Sequence, residues 1–373
     1  MSMASSTDEK YLQMALELAG RGLGRTAPNP PVGAVLVRDG EVVGSGFHPK
    51  AGQPHAEIFA LRQAGVKAAG ADLFVTLEPC CHQGRTGPCT EALIAAGVRR
   101  VVIGAIDPNP QVAGQGLRRL QESGMTVRTA VLEEPCRRLI APFAKHVTTG
   151  RPFVIFKAAM TMDGQTATSA GESQWISCAE SRLKVHQLRD QVDAIMVGSK
   201  TVITDNPRLT TRLPSGGRDP VRIVIDSRLA TSPMAAVYNQ SSPAKTLLMT
   251  GSGHSAGQLA DFRERGIEVH EVAVGDGHLD LVEVMERLGR LNLQAILLEG
   301  GSALAGAMLR CGLVDRVMLF VAPLLLGGCD GSPIFSGPGV ENLVDAFRLI
   351  DVRVTVVGED ILLEGEVAKC SPD

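Results

Sequence analysis

Short apolar runs alternate with stretches of helical period along nearly the whole chain. Leu12, Ala15, Leu16 and Ala19 fall on one helix face, with Ser6 and Glu9 in a capping-box pattern ahead of them and glycines at 20, 22 and 24 behind. Ala34–Arg38 and Glu41–Gly44 flank Asp39-Gly40, a strong hairpin signal. The pattern then predicts a helix over 56–64, a strand over 73–77, a helix over 90–96 and a strand over 101–106. A helix over 116–123, a strand over 126–132 and a helix over 133–146 complete the first half. A hairpin followed by β-α units predicts a mixed sheet with helices on both faces.

After a break at Thr148–Pro152, with no Ser/Gly-rich linker, a second α/β pattern begins. It predicts strands over 154–159, 194–197, 221–225, 246–249, 267–274 and 295–298, with helices over 180–191 and 281–291. Strand-like runs at 316–323, 348–357 and 360–367 close the chain. The expected division is a first domain over 1–148 and a second over 149–373, each α/β. A length of 373 residues suits two domains of ordinary size.

Composition narrows the classes. An apolar fraction of 44% with 21% charge describes globular domains with adequate cores. A net charge of −3 and only 3% aromatic residues argue against a nucleic-acid partner. The N-terminus shows no basic leader followed by an apolar stretch, and the longest apolar run, Val317–Leu326, is too short to span a membrane. Eight irregularly spaced cysteines read as thiols and metal ligands, so a cytoplasmic enzyme is expected.

The chemistry concentrates in His55-Ala56-Glu57 and in Pro79-Cys80-Cys81-His82-Gln83-Gly84-Arg85-Thr86-Gly87-Pro88-Cys89. One imidazole and two thiolates suit a catalytic zinc ion with a fourth position left for water. Residues i and i+2 on a helix point about 200° apart. His55 is therefore read as the ligand and Glu57 as the carboxylate beside the water. Cys80 and Cys81, adjacent on an extended segment, face opposite ways and do not share the ion. Cys80 is assigned because it follows the corner-forming Pro79, and Cys89 because a helix begins there and favours a thiolate. A His/Cys/Cys metal with a non-ligand Glu is the constellation of the zinc deaminases, here with a longer loop between the cysteines.

Other features are ambiguous by themselves. Asn29, His48, Asp107 and Asn109 sit in loops where turn chemistry alone would explain them. Strand 295–298 runs through Glu299-Gly300-Gly301-Ser302 into a helix over 303–310, which suits either a phosphate cradle or a tight connection. It is not the G-x-G-x-x-G fingerprint. Residues 198–212 read as a polar loop whose Arg208 and Arg212 would meet phosphate or solvent. Residues 157–164 and 169–177 read as similarly loop-like.

Taken together, Asn29-Pro-Pro-Val-Gly-Ala-Val, His55-Ala-Glu, Glu78-Pro-Cys, Gly84-Arg-Thr-Gly-Pro-Cys89 and Asp107-Pro-Asn-Pro-Gln-Val-Ala-Gly-Gln-Gly resemble the deaminase half of the bifunctional riboflavin-biosynthesis deaminase/reductase family. Cys81 departs from that pattern, where Ser is usual. The second half resembles the reductase half, and the match covers residues 7–368. The resemblance implies a cytidine-deaminase-like three-layer domain with a mixed sheet, followed by a dihydrofolate-reductase-like α/β domain that uses NADPH. It implies that Asn29, His48, Arg85, Asp107 and Asn109 line the deaminase pocket. In the second domain Ser173, Arg189, Leu209, Arg212 and Glu299 would hold substrate, and Lys157 would lie near the reacting carbon at the cofactor. Ala159, Trp175, Thr201, Asp205 and Ser227, with Gly301, Ser302, Ala303, Leu304, Ala305, Gly306 and Ala307, would contact the dinucleotide. Expected ligands are one zinc ion, NADPH and ribosylamine phosphates, in a homo-oligomer (dimer or tetramer) with no nucleic-acid or membrane partner. The rival readings are a nucleoside or transfer-RNA deaminase, and a non-catalytic zinc module with a nucleotide-binding regulator.

Overall fold

A computed structural model describes residues 3–83, 87–110 and 112–368. The chain forms two compact units, Met1–Gly150 and Arg151–Asp373.

The first unit is built on strands β1 (Gly33–Arg38), β2 (Glu41–Phe47), β3 (Asp72–Leu77), β4 (Arg100–Ala105) and β5 (Thr126–Arg128). They lie in the order β2-β1-β3-β4-β5, with β1 antiparallel to both neighbours and β3, β4 and β5 parallel. The helices are α1 (Met3–Gly20), α2 (Ala56–Ala64), α3 (Cys89–Ala95), α4 (Gln115–Glu122), α5 (Glu133–Leu139) and α6 (Ala141–Thr149). Side chains alternate across the sheet, and both faces are buried. Ala34, Leu36, Leu73, Val75, Val101 and Ile103 pack on Ala56, Ala60, Leu93 and Leu120 of α2, α3 and α4. Val35, Val37, Phe74 and Val102 pack on Tyr11, Leu12, Ala15 and Cys136 of α1 and α5. Three layers result.

Helix α2, which starts the metal site, lies unusually close to β2. A Cβ on Gly44 would come 2.2 Å from the Ala60 carbonyl, and one on Gly46 would come 2.6 Å from that of Ala56. Glycine at these two positions sets the depth of the site.

The second unit contains β6 (Phe153–Thr161), β7 (Gln165–Ala167), β8 (Ala194–Gly198), β9 (Val221–Asp226), β10 (Thr246–Gly251), β11 (Glu268–Val272), β12 (Val274–Gly275), β13 (His278–Leu279), β14 (Ala295–Glu299), β15 (Arg316–Ala322), β16 (Ser332–Pro333), β17 (Leu349–Val357) and β18 (Asp360–Val367). Its main sheet has the order β11-β10-β9-β8-β14-β6-β15-β18-β17. The strands are parallel as far as β15 and antiparallel beyond it. Helices α7 (Ala179–Gln191), α8 (Ser199–Asp205), α9 (Ala256–Glu264), α10 (Leu281–Arg290) and α11 (Ser302–Arg310) connect them. Val284, Met285 and Met308 of α10 and α11 pack on one face with Ile223, Ile296 and Leu298. Val202 and Phe262 of α8 and α9 pack on the other with Ile195, Val224 and Leu248. Insertion of β14 between β8 and β6 makes this the point where strand order reverses, and ligand crevices open at such points.

The structure corrects several expectations. Helix α1 begins at Met3, so Ser6 lies inside it and no capping box starts there. The strand expected over 126–132 stops at Arg128, because Ala130 and Leu132 take left-handed backbone with φ of 61° and 47°. The helix over 133–146 is two helices: Ile140 leaves helical geometry ahead of Pro142, which has no N–H to continue the ladder. The run from Lys157 is strand as far as Thr161. Residues 199–205, read as loop, form α8; its β-branched Thr201, Val202 and Ile203 weaken helix propensity, while burial of Val202 holds it. Helix α9 was not expected, although Ser255 and Gln258 form a true capping box there.

Candidate zinc site and nucleotide cleft

His55 is the N-cap of α2, and Cys89 is the first residue of α3. Cys80 follows β3 at the Glu78-Pro79 corner. These two strand-to-helix junctions bring His55 Nδ1 to 3.5 Å from Cys80 Sγ and 3.3 Å from Cys89 Sγ. All the candidate ligand atoms of the triad lie within 4.8 Å of one another. Tetrahedral zinc, with bonds of about 2.1 Å to nitrogen and 2.3 Å to sulfur, requires N···S separations of roughly 3.5 Å. The donor set fits zinc. Cys80 also accepts the backbone N–H of Cys89 at 3.4 Å. The Cys89 contact and His55 pull the Cys80 thiol down to about 4 against its burial. The His55 imidazole is raised, chiefly by Cys80. Cys81 turns away, its Sγ 3.9 Å from Gln115 Oε1.

Glu57, in the first turn of α2, is 3% exposed, and its Oε2 has no hydrogen-bond partner among the described residues. Burial, with Cys80 adding, pushes its carboxyl up to about 7. A buried, unpartnered carboxyl oxygen at an N/S/S triad is a group built to exchange protons with something bound there.

A cavity of about 370 Å³ opens over the triad. Asn29, His48, Asp107 and Asn109 all line it, together with His55, Glu57 and Cys80. The Pro54 carbonyl can only accept, so His48 Nδ1 donates to it at 3.0 Å, and Nε2 is left to accept from the Asn29 amide at 3.0 Å. Burial keeps His48 below its ordinary range. Asp107 is raised, mainly by burial, while its Oδ1 accepts the Asn109 N–H at 2.9 Å. Arg85 lies outside the described residues. His82, Gln53 and Phe143 also line the cavity and were not singled out from the sequence. His82 sits inside the cysteine loop, whereas nothing in the sequence tied Phe143 of α6 to this wall.

The second unit holds a cleft of about 820 Å³. Lys157, Ala159, Ser173, Trp175, Arg189, Thr201, Asp205, Leu209, Arg212, Glu299, Gly301 and Ser302 line it. Lys157 and Glu299 are register partners on β6 and β14. Arg189 of α7 grips Glu299 with two bonds of 2.8 Å, and Lys157 Nζ stands 4.0 Å from the same carboxylate. Burial lowers Lys157. His186, one helical turn before Arg189, also lines the cleft and was missed; its Nδ1 accepts the Arg212 N–H at 3.3 Å. Burial, then Arg189 and Arg212, drive it down to about 4. Gly300 and Gly301 both have φ of 76°, and a Cβ on either would meet Thr201 at 3.1 Å. That glycine cradle ahead of α11 fits a pyrophosphate.

Several expected contacts are not on the cleft wall. Ser227 follows β9 and does not line it. Ala303, Leu304, Ala305, Gly306 and Ala307 lie within α11, where Ala305 is buried in the core and Leu304 and Ala307 pack against that core. The glycine turn and Ser302, the first residue of α11, reach the cavity, and the helix then runs away from it.

Two family profiles match the chain. One, described as "RibD C-terminal domain", covers residues 152–363, and the other, "Cytidine and deoxycytidylate deaminase zinc-binding region", covers residues 5–105. The riboflavin biosynthesis protein RibD of Escherichia coli is 44% identical over 368 residues, spanning 95% of this chain and 98% of that protein. The RibD of Synechocystis is 42% identical over 96% of each. A solved structure of Acinetobacter baumannii RibD superposes with a TM-score of 0.85 at 36% identity, over 98% of this chain and 100% of that one. A Thermotoga maritima structure, described as a diaminohydroxyphosphoribosylaminopyrimidine deaminase/5-amino-6-(5-phosphoribosylamino)uracil reductase, superposes with a TM-score of 0.83 at 35% identity, with the same coverage.

Proposed function

The chain belongs to the RibD family, the bifunctional deaminase/reductases of riboflavin biosynthesis, and from that premise we propose how its two sites divide the work. It is a zinc-dependent deaminase joined to an NADPH-dependent reductase in one α/β chain. The substrates we assign are those in the description of the Thermotoga protein: a diaminopyrimidine ribosylamine phosphate for the first site, and the resulting uracil for the second.

In the first unit His55, Cys80 and Cys89 would hold the metal. Zinc, when bound, acts as a Lewis acid that brings the ionisation of water near neutral pH. Glu57 would accept one proton from the attacking water and give it to the ring nitrogen, then take the second from the hydroxyl so formed on the ring carbon and give it to the amino group, which leaves as ammonia. Asn29 and His48, locked to each other, and Asp107 and Asn109 orient the pyrimidine. Arg85 completes the expected set. The observation that carries this reading is the buried, unpartnered Oε2 of Glu57 beside the triad.

In the second unit bound NADPH would supply the hydride that reduces the ribosyl group to a ribityl chain. Gly301, Ser302, Thr201, Trp175, Ala159 and Asp205, which line the cleft, would take the dinucleotide, while Ser173, Leu209, Arg189 and Arg212, also on its wall, would meet the sugar phosphate. Lys157 and Glu299 position the reacting end. Ser227 and residues 303–307 would reach the dinucleotide only outside the cleft wall.

Two further assignments support each other less directly. The seven cysteines among the described residues are free, which suits a reducing cytoplasm, and no helix among those residues is long and apolar enough to cross a membrane. Strand β17 is a sheet edge exposing Ile350, Val352, Val354 and Val356 at 50–74%, a surface suited to pairing with a second copy. The direct test of the whole reading incubates zinc-loaded enzyme with the diaminopyrimidine ribosylamine phosphate and follows ammonia and NADPH separately. Ammonia first, then NADPH oxidation, supports it; NADPH oxidation without ammonia contradicts it.

A further inference from the structure

Glu78 is 4% exposed and lines the same cavity as Glu57, yet it is not a member of the metal triad. It ends the β3 approach to the metal corner, two residues before Cys80. Its two oxygens accept three backbone N–H groups: Oε2 takes those of Asp107 at 3.2 Å and Gly114 at 3.0 Å, and Oε1 takes that of Leu117 at 3.0 Å. One oxygen therefore joins the two ends of the loop over residues 107–114, and the other anchors the first turn of α4 behind it. That loop carries Asp107 and Asn109 into the cavity over the zinc triad. The contact is close on both sides: a Cβ on Gly116 would lie 2.0 Å from the Pro79 carbonyl.

We propose that Glu78 is a positioning residue of the deaminase, a clasp that fixes the substrate-bearing loop to the metal corner and thereby sets how tightly the pyrimidine is held. The inference rests on the assignment of this cavity to deamination. A carboxylate suits the task because it presents two acceptors and no donor. An amide keeps one acceptor, and its NH2 would confront either the Leu117 N–H or the pair from Asp107 and Gly114, so either the helix anchor or both loop ends are released.

Glu78→Gln is therefore expected to raise the deaminase KM by about tenfold, with kcat within about twofold, the pattern of lost substrate binding without lost chemistry. Zinc should remain at one per chain, and reductase KM should be unchanged. Glu78→Asp keeps both acceptors on a shorter arm and should give a smaller rise in KM; it decides the matter should the Gln variant fail to fold. An unchanged KM in the folded variant overturns the proposal. So does a loss of zinc and thermal stability with normal KM per bound zinc, the signature of a purely structural role. Wild-type enzyme that releases no ammonia would instead remove the deaminase reading, and this inference with it.

Discussion

Arg189 and Glu299 stand 110 residues apart in sequence and meet face to face across the second cleft, Nε to Oε1 and Nη2 to Oε2, both at 2.8 Å. The sequence suggested that each binds substrate; the structure shows each occupied by the other. Burial alone would push the Glu299 carboxyl up, but Arg189, helped by Lys157 and His186, holds it down at about 2. The pair fixes the cleft floor at the point where β14 and β6 run side by side.

Removing one partner leaves a buried charge uncompensated. Glu299→Gln should cost the second unit about 3–5 kcal/mol of stability. Denaturant unfolding followed by Trp175, the chain's one tryptophan, reads this directly. Ammonia release should persist, since the deaminase site lies wholly in the first unit.

Acid should weaken the second unit in two stages. His186 sits near 4 in the fold against an ordinary 6.5, so the unfolded chain binds more protons between those values and stability falls as pH drops through that window. Glu299, depressed to about 2 from 4.5, contributes stability that is full above 4.5 and lost toward 2. His186→Gln should flatten the upper stage and leave the lower. The Trp175 unfolding midpoint measured from pH 7 to pH 4 tests this; an unaltered slope in the variant contradicts it.

The two adjacent cysteines should behave oppositely. Cys81→Ser leaves zinc content at one per chain, because its sulfur faces Gln115 and not the triad. Cys80→Ser or Cys89→Ser should reduce zinc affinity by orders of magnitude and abolish ammonia release. Elemental analysis after dialysis distinguishes them.

Val354 is 64% exposed on the β17 edge. Val354→Lys places a charge in the surface assigned to self-association, a device by which sheet edges are blunted. Sedimentation velocity should show a shift toward monomer; an unchanged distribution would assign the contact elsewhere.

Much of this was legible in the sequence because it is local. The hairpin at Asp39-Gly40, helix 56–64 and the His55, Cys80 and Cys89 group that could hold a metal ion each follow from short stretches of neighbouring residues. The reductase site was less legible, since its geometry is made by distant strands. Lys157 and Glu299 become neighbours only through β6–β14 register, and the Arg212 N–H that meets the His186 ring comes from 26 residues further along the chain. Helix α8 was hidden by β-branched residues that burial of Val202 outweighs. Glu78 could be read as part of the Glu-Pro-Cys corner, but not as the acceptor of amides 29 to 39 residues further on.

The central claim is that one chain carries two separable chemistries, with Glu57 the proton carrier of the first. Glu57→Gln, loaded with zinc, tests it most directly when ammonia release and NADPH oxidation are measured on the same preparation. The expected result is deamination reduced by about 10²–10⁴-fold, with reduction of pre-deaminated substrate at the wild-type rate. Unimpaired ammonia release, or loss of both activities in a folded, zinc-replete variant, would contradict the account.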